Sequence, residues 1–260
     1  IHYAFFGCFL FLIAGLHGTI TTRRLEPTVN AIIIIALVSA IVLLFLLPTI
    51  RYHETYGQNI VAAKRTFAEA DVYSLKIAQL LLPVKGHSIP ALNELNNKYY
   101  SGIGVRNETS FVSLGIVSSF GFLAALSWLF WGRYTHIRNE RDREILNVLS
   151  ILNGSALLLG TVGGFGMLFA FLVSPQIRVY NRISIFLAFL SLSVLCVLAD
   201  DLINRKNLGV KPKHLIVKLF LVLVIFFAIT DQTYDFIKDR KAIALEFNND
   251  KDFISRIESV

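Results

Sequence analysis

The short segment SPQIRVYNR, residues 174–182, places several potential anion-binding side chains between two apolar stretches. Arg178 and Arg182 each carry a guanidinium, whose fork of N–H donors matches the oxygens of a phosphate or pyrophosphate. Tyr180 and Asn181 add neutral hydrogen-bonding groups beside them. The segment therefore predicts a phosphate-binding site. Lipid headgroups, or aspartates of the C-terminal tail, are alternative partners for the same two arginines.

A second candidate site is the turn PVKGHSIP, in which two prolines and a glycine restrict the backbone. His87 could act as a general acid or base, or donate a hydrogen bond to a phosphate oxygen. Lys85 could contact the same phosphate or a lipid headgroup. The alternative for His87 is a loop histidine that binds backbone groups.

Four carboxylates are candidates for a catalytic base, because transfer to a hydroxyl acceptor requires a group that takes its proton. Asp71 is a weak candidate, as is His87 of the turn, and the catalytic residues are otherwise unknown. Solvated or ion-paired carboxylates are the alternative, because no spacing selects a pair. The four are Glu54, Glu69, Asp71 and Asp231, the last of which precedes Gln232. The sequence contains no metal-ligand spacing, nucleophile elbow or dinucleotide fingerprint.

The composition indicates that these residues are positioned by a polytopic membrane protein. Of the 260 residues, 55% are hydrophobic and only 17% are charged, and the mean hydropathy is +0.60. A soluble domain carries about 25% charged residues. The composition argues against a disordered chain, a disulfide scaffold or a typical cytosolic enzyme. The two cysteines, Cys8 and Cys196, lie in separate apolar runs, and a bridge between them is not expected.

Six apolar segments approach the roughly 20 residues that a helix needs to cross a bilayer. They are 2–20, 28–50, 112–131, 146–173, 183–199 and 215–230. The predicted fold is an all-α integral membrane protein with about six transmembrane helices and an outward amphipathic interfacial helix and loop. Its parts are helices 1–2 in 1–50, an extracytoplasmic loop in 51–111, helices 3–6 in 112–230, and the start of an extracytoplasmic segment in 231–260.

The distribution of basic residues predicts the orientation. Eleven Lys and Arg residues fall on the three links that follow the first, third and fifth segments, whereas link 174–182 has two. The positive-inside rule therefore makes the three basic links cytoplasmic. It also accounts for the net charge of +7, so that no nucleic-acid partner is predicted. Ionisable residues are missing from the middle of the segments, which argues against an ion-coupled transporter.

The outward loop contains an amphipathic pattern, in which apolar residues recur every three or four positions from Ile60 to Leu81. This predicts an interfacial helix that continues from the second span and ends at Pro83 and Gly86. The polar stretch from Ala91 to Ser110 is predicted as loop, and it includes the Asn-Glu-Thr sequon at 107–109.

The fourth apolar segment is unusually long and contains the run GTVGGFG, residues 160–166. The run lacks the Lys-Ser/Thr of a phosphate-binding loop. Small residues at these spacings favour close helix packing, and a broken helix that lines a cavity is the alternative.

The order of these features resembles a known class of membrane proteins. YSLKIAQLLLPVKGHSIPAL, NETSFVSLGIV, GTVGGFGMLFAFLVSPQIRVYNRISIFLAF and AITDQT together resemble the C-terminal half of large bacterial inner-membrane proteins described as phosphoglycerol-transferase-like or sugar-transferase-like. These look similar to the GT-C class of integral-membrane glycosyltransferases. The resemblance covers nearly the whole chain.

The resemblance implies a bacterial inner-membrane transferase that passes a sugar, or a phosphoglycerol-type group, from a polyprenyl-phosphate carrier to an acceptor on the outer face. It places the catalytic base upstream of Ile1 and leaves room for a divalent cation, although no cofactor is evident. It assigns the donor phosphate to Lys85 and His87 of the turn and to four residues of link 174–182, namely Arg178, Tyr180, Asn181 and Arg182. We expect Arg178 and Arg182 to share a cavity with His87. A lipid-linked sugar translocase and a non-catalytic scaffold are the competing functions.

Overall fold

The computed structural model describes residues 1–57, 65–102, 112–137, 139–205, 213–232 and 236–258. These ranges are helical and contain no strand, apart from an isolated parallel bridge between Leu75 and Thr161. The predicted all-α class is therefore confirmed. The helices are α1 (His2–Thr22), α2 (Glu26–Tyr56), α3 (Ala68–Val72), α4 (Ile77–Leu81), α5 (Pro90–Ser101), α6 (Gly115–Trp131), α7 (Glu140–Gly160), α8 (Phe165–Leu172), α9 (Ser184–Arg205), α10 (Lys213–Gln232) and α11 (Phe236–Glu258).

Four helical stretches in the described residues are long and apolar enough to cross a membrane. They are His2–Thr22, Glu26–Tyr56, Gly115–Tyr134 and Tyr180–Ile203. These stretches correspond to the first, second, third and fifth predicted segments. In α10, only the shorter stretch Val222–Gln232 qualifies as an apolar helix. The predicted number of about six spans is not confirmed.

The fourth predicted segment, 146–173, is two helices instead of one continuous span. The first, α7, begins earlier than predicted and ends at Gly160, and α8 begins at Phe165. Thr161 is extended, and Gly163 has a φ of +69°, a conformation that glycine adopts readily. The broken-helix alternative is therefore the observed one. The glycines also serve packing, because a Cβ on Gly160 would lie 2.6 Å from Ile183 Cγ2.

The centre of the fold is formed by α6, α7 and α9, which pack against one another. Phe122 on α6, Ala156 on α7 and Leu187 on α9 are all fully buried in one apolar cluster. The hairpin of α1 and α2 joins this centre through α1, which contacts α7. Phe6 of α1 belongs to the same cluster, whereas α2 leaves most of its apolar surface exposed.

The described part of the predicted interfacial helix is two short helices, α3 and α4, with a turn between them. Residues 58–64, where the pattern begins, lie outside the described ranges. The continuous helix is interrupted because the Leu75 N–H donates to Gly160 O at 2.7 Å, while Leu75 O accepts from the Val162 N–H at 3.1 Å. Leu75 and Leu80 are fully buried, so this segment packs into the bundle.

The segment predicted as loop after Pro90 contains a helix, α5. Pro90 occupies its first turn, where a missing N–H costs no intrahelical bond. Asn96 is buried and donates from Nδ2 to Pro83 O at 2.7 Å. Tyr100, about one turn later on the same helix, is also buried. These tertiary contacts outweigh the polar composition of the helix. The sequon at 107–109 lies outside the described residues.

Candidate functional site

Several helix ends meet at one end of the bundle because residues 73–87 link them. The Asn181 N–H at the start of the α9 region donates to Tyr73 O at 3.1 Å, and the Leu75 contact ties in the end of α7. The Leu114 N–H, just before α6, donates to Leu80 O at 2.9 Å. We call this end of the bundle, which carries residues 65–102, the loop end.

Arg178 forms an ion pair with Glu69 of α3. The two side chains are 34% and 28% exposed, so the pair is partly solvated and is expected to stabilise the fold only modestly. The Arg178 guanidinium also lies 5.6 Å from the centroid of the Tyr73 ring, within range of a cation–π interaction. Glu69, a sequence candidate for a base, is thus the partner of a predicted phosphate ligand.

Arg65 is a third arginine at this site that the sequence did not identify. Its Nη1 donates to the backbone oxygen of Gln176 at 3.1 Å and to Gln176 Oε1 at 3.0 Å. Both acceptors are neutral, so these bonds orient the guanidinium without cancelling its charge. Arg65 is therefore held at link 174–182, which itself contains Arg178 and Arg182. Arg65 was difficult to identify because it lies on the polar side of the amphipathic pattern.

Tyr180 and Asn181, between the two predicted arginines, are buried. The Tyr180 ring packs against Phe5 and Phe6 of α1, and a Cβ on Gly166 would lie 2.6 Å from that ring. In the described part of the chain, Tyr180 OH, Asn181 Oδ1 and His2 Nε2 are buried without a hydrogen-bond partner. Unpaired buried polar atoms cost free energy, so this junction of α1 and α9 holds unused bonding capacity beside the arginines.

Asp71 lies at the break between α7 and α8. Its Oδ1 accepts a hydrogen bond from the Gly163 N–H at 3.2 Å. It follows Glu69 by two residues on α3 and remains partly exposed. A partly exposed carboxylate close to an arginine cluster is chemically suitable as a base, whereas Glu54 is exposed at the end of α2.

His87 belongs to a different set of contacts, with Asp231 at the end of α10. Its Nε2 lies 3.1 Å from Asp231 Oδ1, and its Nδ1 accepts from the Ile89 N–H at 2.9 Å. Because Nδ1 accepts, the proton is on Nε2 and Asp231 receives it as a hydrogen bond. Both nitrogens are engaged and the side chain is buried, so His87 in this arrangement has no nitrogen available for a substrate proton.

Asp231 also caps α6, because its Oδ2 accepts from the Ile116 N–H at 2.5 Å. A carboxylate is favourable at a helix N-terminus, where the N–H groups are unpaired and the dipole is positive. Gly115 has a φ of +74°, and a Cβ there would lie 2.4 Å from Asp231 Oδ2. Glycine is favoured at this position by its conformation, and an added Cβ would displace the Asp231 and Gln232 side chains.

The predicted donor-phosphate residues therefore fall into two groups of contacts at the loop end. Arg178 pairs with Glu69 and Arg65 binds Gln176 of the same link, whereas His87 lies with Asp231. Among the described contacts of Arg178, Glu69 and Arg65, none reaches His87 or Asp231. Lys85, which precedes His87 of the second group by two residues, is exposed. The shared cavity stays a prediction.

A cavity of about 680 Å³ lies between α6, α9 and α10. It is lined mainly by apolar side chains, and Asp231 and Gln232 contribute to its lining. In the ranges that the structure describes, no group of three or more His, Cys, Asp or Glu residues could hold a metal ion. Cys8 and Cys196 are both free.

Comparisons with known proteins found no match: the sequence matches no family model, no curated protein and no solved structure.

Proposed function

We propose that this chain is part of a membrane-embedded transferase, which moves a sugar or a phosphoglycerol-type group from a polyprenyl-phosphate carrier to an acceptor. The proposed location is the outer face of the bacterial inner membrane. The observation that carries the proposal is the cluster of arginines at link 174–182, where Arg65 binds Gln176 and the link itself contains Arg178 and Arg182. Such a cluster suits the phosphate of a lipid-linked donor. The resemblance of the sequence to GT-C-like proteins supports the same reaction class.

In this proposal the arginines bind the donor phosphate and offset the charge that develops on it as the group departs. Arg65 is suited to this role because its described partners are neutral oxygens. Glu69 is a positioning residue that orients Arg178. Tyr180 and Asn181, which have unused bonding capacity, extend the phosphate site towards α1. Rate enhancement would then come mainly from positioning and electrostatic stabilisation.

Among the described residues, Asp71 is the proposed base that takes the proton of the acceptor. It is a partly exposed carboxylate on the same short helix as Glu69, and only one of its oxygens accepts a described hydrogen bond. His87 is proposed to stabilise the fold and not to contact the substrate, because both of its ring nitrogens are already hydrogen-bonded. Lys85 remains available to a lipid headgroup.

A non-catalytic scaffold is the second candidate, and the Arg178–Glu69 pair favours it. The scaffold hypothesis expects the outward arginines to be neutralised by carboxylates of the protein. Glu69 does this for Arg178, although it comes from the loop and not from the C-terminal tail. Arg65, with neutral partners, is the residue on which the two hypotheses differ most.

Replacing Arg65 with glutamine is expected to reduce transfer by roughly ten- to a hundredfold. A charge-assisted hydrogen bond to a phosphate contributes about 1.5–3 kcal/mol, and each 1.4 kcal/mol corresponds to a factor of ten. The measurement is transfer of label from a polyprenyl-phosphate sugar in membranes that contain the full-length protein. Asp71→Asn should reduce the rate at saturating donor without raising the donor concentration that is required, whereas Arg65→Gln should change both.

Arg51→Gln is the matched control, because Arg51 is exposed on α2 and its side chain has no described contact. It should transfer at the parent rate with equal expression. Equal activity of Arg65→Gln and Arg51→Gln would contradict the phosphate site. Absence of transfer over a panel of donors, together with movement of the lipid carrier across the bilayer, would favour the translocase.

A further inference from the structure

A small pocket of about 250 Å³ lies between α1, α6 and α7, at the opposite end of the bundle from residues 65–102. We call this the turn end, because the α6–α7 turn closes it. The polar side chains that line the pocket are His17 from α1, Arg133 from the turn and Asn147 from α7. Trp128, Phe130 and Ile151 contribute apolar walls. No carboxylate is among its lining residues.

Contacts around Trp128 fix the shape of the pocket. The Trp128 Nε1–H donates to Asn147 Oδ1 at 2.8 Å, which holds α6 and α7 together at this point. Gly132 allows the chain to turn closely over the indole, since a Cβ there would lie 2.7 Å from Trp128 Cε2. The Arg133 backbone oxygen accepts from Arg143 Nη2 at 3.1 Å. These contacts fix the backbone from which the Arg133 side chain extends.

The polar groups of the pocket are suited to bind an anion. Asn147 uses its carbonyl oxygen on Trp128, so its NH₂ group remains as a donor. The Arg133 side chain forms no ion pair with any residue that the structure describes. His17 is partly buried and adds a ring nitrogen to the same pocket. A guanidinium, an amide and an imidazole thus line one pocket, and no carboxylate lines it with them.

The surroundings of the pocket favour a lipid over a free anion. Phe130 and Trp131, which shortly precede Arg133, are 70% and 63% exposed, and Trp is enriched at membrane–water interfaces. Leu129 and Ile151 extend the apolar wall from the polar end towards the middle of the helices. Basic pockets between helices near a bilayer surface can bind anionic headgroups.

We propose that the pocket at the turn end binds the phosphodiester of an anionic membrane lipid, whose acyl chains lie along the apolar surfaces of α6 and α7. Arg133 supplies the charge, Asn147 and His17 supply further hydrogen bonds, and Trp128 lies beside the headgroup. This site is separate from the arginine cluster at the loop end. It does not depend on transferase activity.

The test uses Trp128 as the probe in a variant whose other tryptophans are replaced by phenylalanine, which in this chain means Trp131→Phe. The full-length protein is reconstituted in phosphatidylcholine bilayers that contain increasing amounts of brominated phosphatidylglycerol, and quenching of Trp128 is measured. Brominated phosphatidylcholine in place of the anionic lipid gives the reference. We expect saturable quenching that favours the anionic lipid. Arg133→Gln should weaken its relative association about fivefold, in line with about 1 kcal/mol per basic residue near a membrane surface.

Arg141→Gln is the matched control, because Arg141 is exposed at the same end and does not line the pocket. It should leave the association unchanged within twofold. His17→Gln, which should weaken binding while preserving the α6–α7 contacts, provides a second test if Arg133→Gln folds poorly. Equal quenching by the two lipids, or equal losses in Arg133→Gln and Arg141→Gln, would overturn the proposal. Complete displacement of the brominated lipid by millimolar inorganic phosphate would show a free-anion site and would also overturn it.

Discussion

Asp231→Ala is expected to lower the free energy of unfolding by about 2–4 kcal/mol, one of the largest effects of any single substitution at the loop end. The carboxylate is buried and accepts two hydrogen bonds, from His87 and from the Ile116 N–H. Hydrogen bonds to charged groups contribute about 1.5–3 kcal/mol each, and partners left unsatisfied add their own cost. Removal also leaves the N-terminus of α6 without its cap.

The measurement is denaturant unfolding of the purified protein in detergent micelles, with Asp250→Ala as the control. Asp250 lies on α11 and is exposed, so its removal should change stability by less than about 0.5 kcal/mol. A double-mutant cycle with His87→Ala should give a coupling of about 1–3 kcal/mol, because the two side chains are in direct contact. Additive effects would show that His87 and Asp231 do not interact in the folded protein.

This prediction also separates a structural role of His87 from a chemical one. If His87 acts through Asp231, then His87→Ala should lose transfer activity only as far as it loses folded protein. The loss should be largest near the unfolding transition. Loss of activity in fully folded His87→Ala would instead show that His87 takes part in the transfer reaction.

The apolar helices could be predicted from the sequence because their length and hydropathy are local properties. The run from Ala31 to Leu47 has no competing structure, and it forms most of α2. Residues 146–173 are also apolar overall but did not form one helix. There the break depends on the pairing of Leu75 with residues 160–162, and such pairing between distant segments is not a property of either one.

The candidate site shows the same limit. Arg178, Glu69, His87 and Asp231 were each identified from their types and positions. Their partners could not be predicted, because Glu69 and Arg178 are 109 residues apart and His87 and Asp231 are 144 apart. Hydropathy and charge counting predict which end of a span a residue occupies. They do not predict which side chains at that end come into contact.

The close contact between α6 and α9 gives the second large effect. A Cβ on Gly121 would lie 2.1 Å from the backbone oxygen of Ser191 and 3.0 Å from Leu195 Cγ. A flexible side chain could move away from an added methyl group, whereas a backbone carbonyl can move only with its helix. Gly121→Ala is therefore expected to destabilise the protein by about 3 kcal/mol, at the upper end of typical overpacking costs.

α9 has little freedom to retreat from this methyl group, because its other side is held by α7. The Ser191 hydroxyl oxygen accepts from Asn153 Nδ2 at 2.9 Å, and both residues are fully buried. Separating α9 from α6 without breaking that bond would require α7 to move as well. Small residues at helix contacts in membranes allow such close backbone approach.

Gly7→Ala is the matched control for Gly121→Ala, since no atom lies within 4 Å of a Cβ at Gly7 on α1. Removing a helical glycine from an open position should raise the stability by up to about 1 kcal/mol. The two variants make the same chemical change, and only the space differs. Unfolding in detergent micelles should therefore shift in opposite directions for the two. A shift of the same sign and size would mean that α6 and α9 do not approach each other at Gly121, and that the centre of the bundle is held by the contacts of α7 alone.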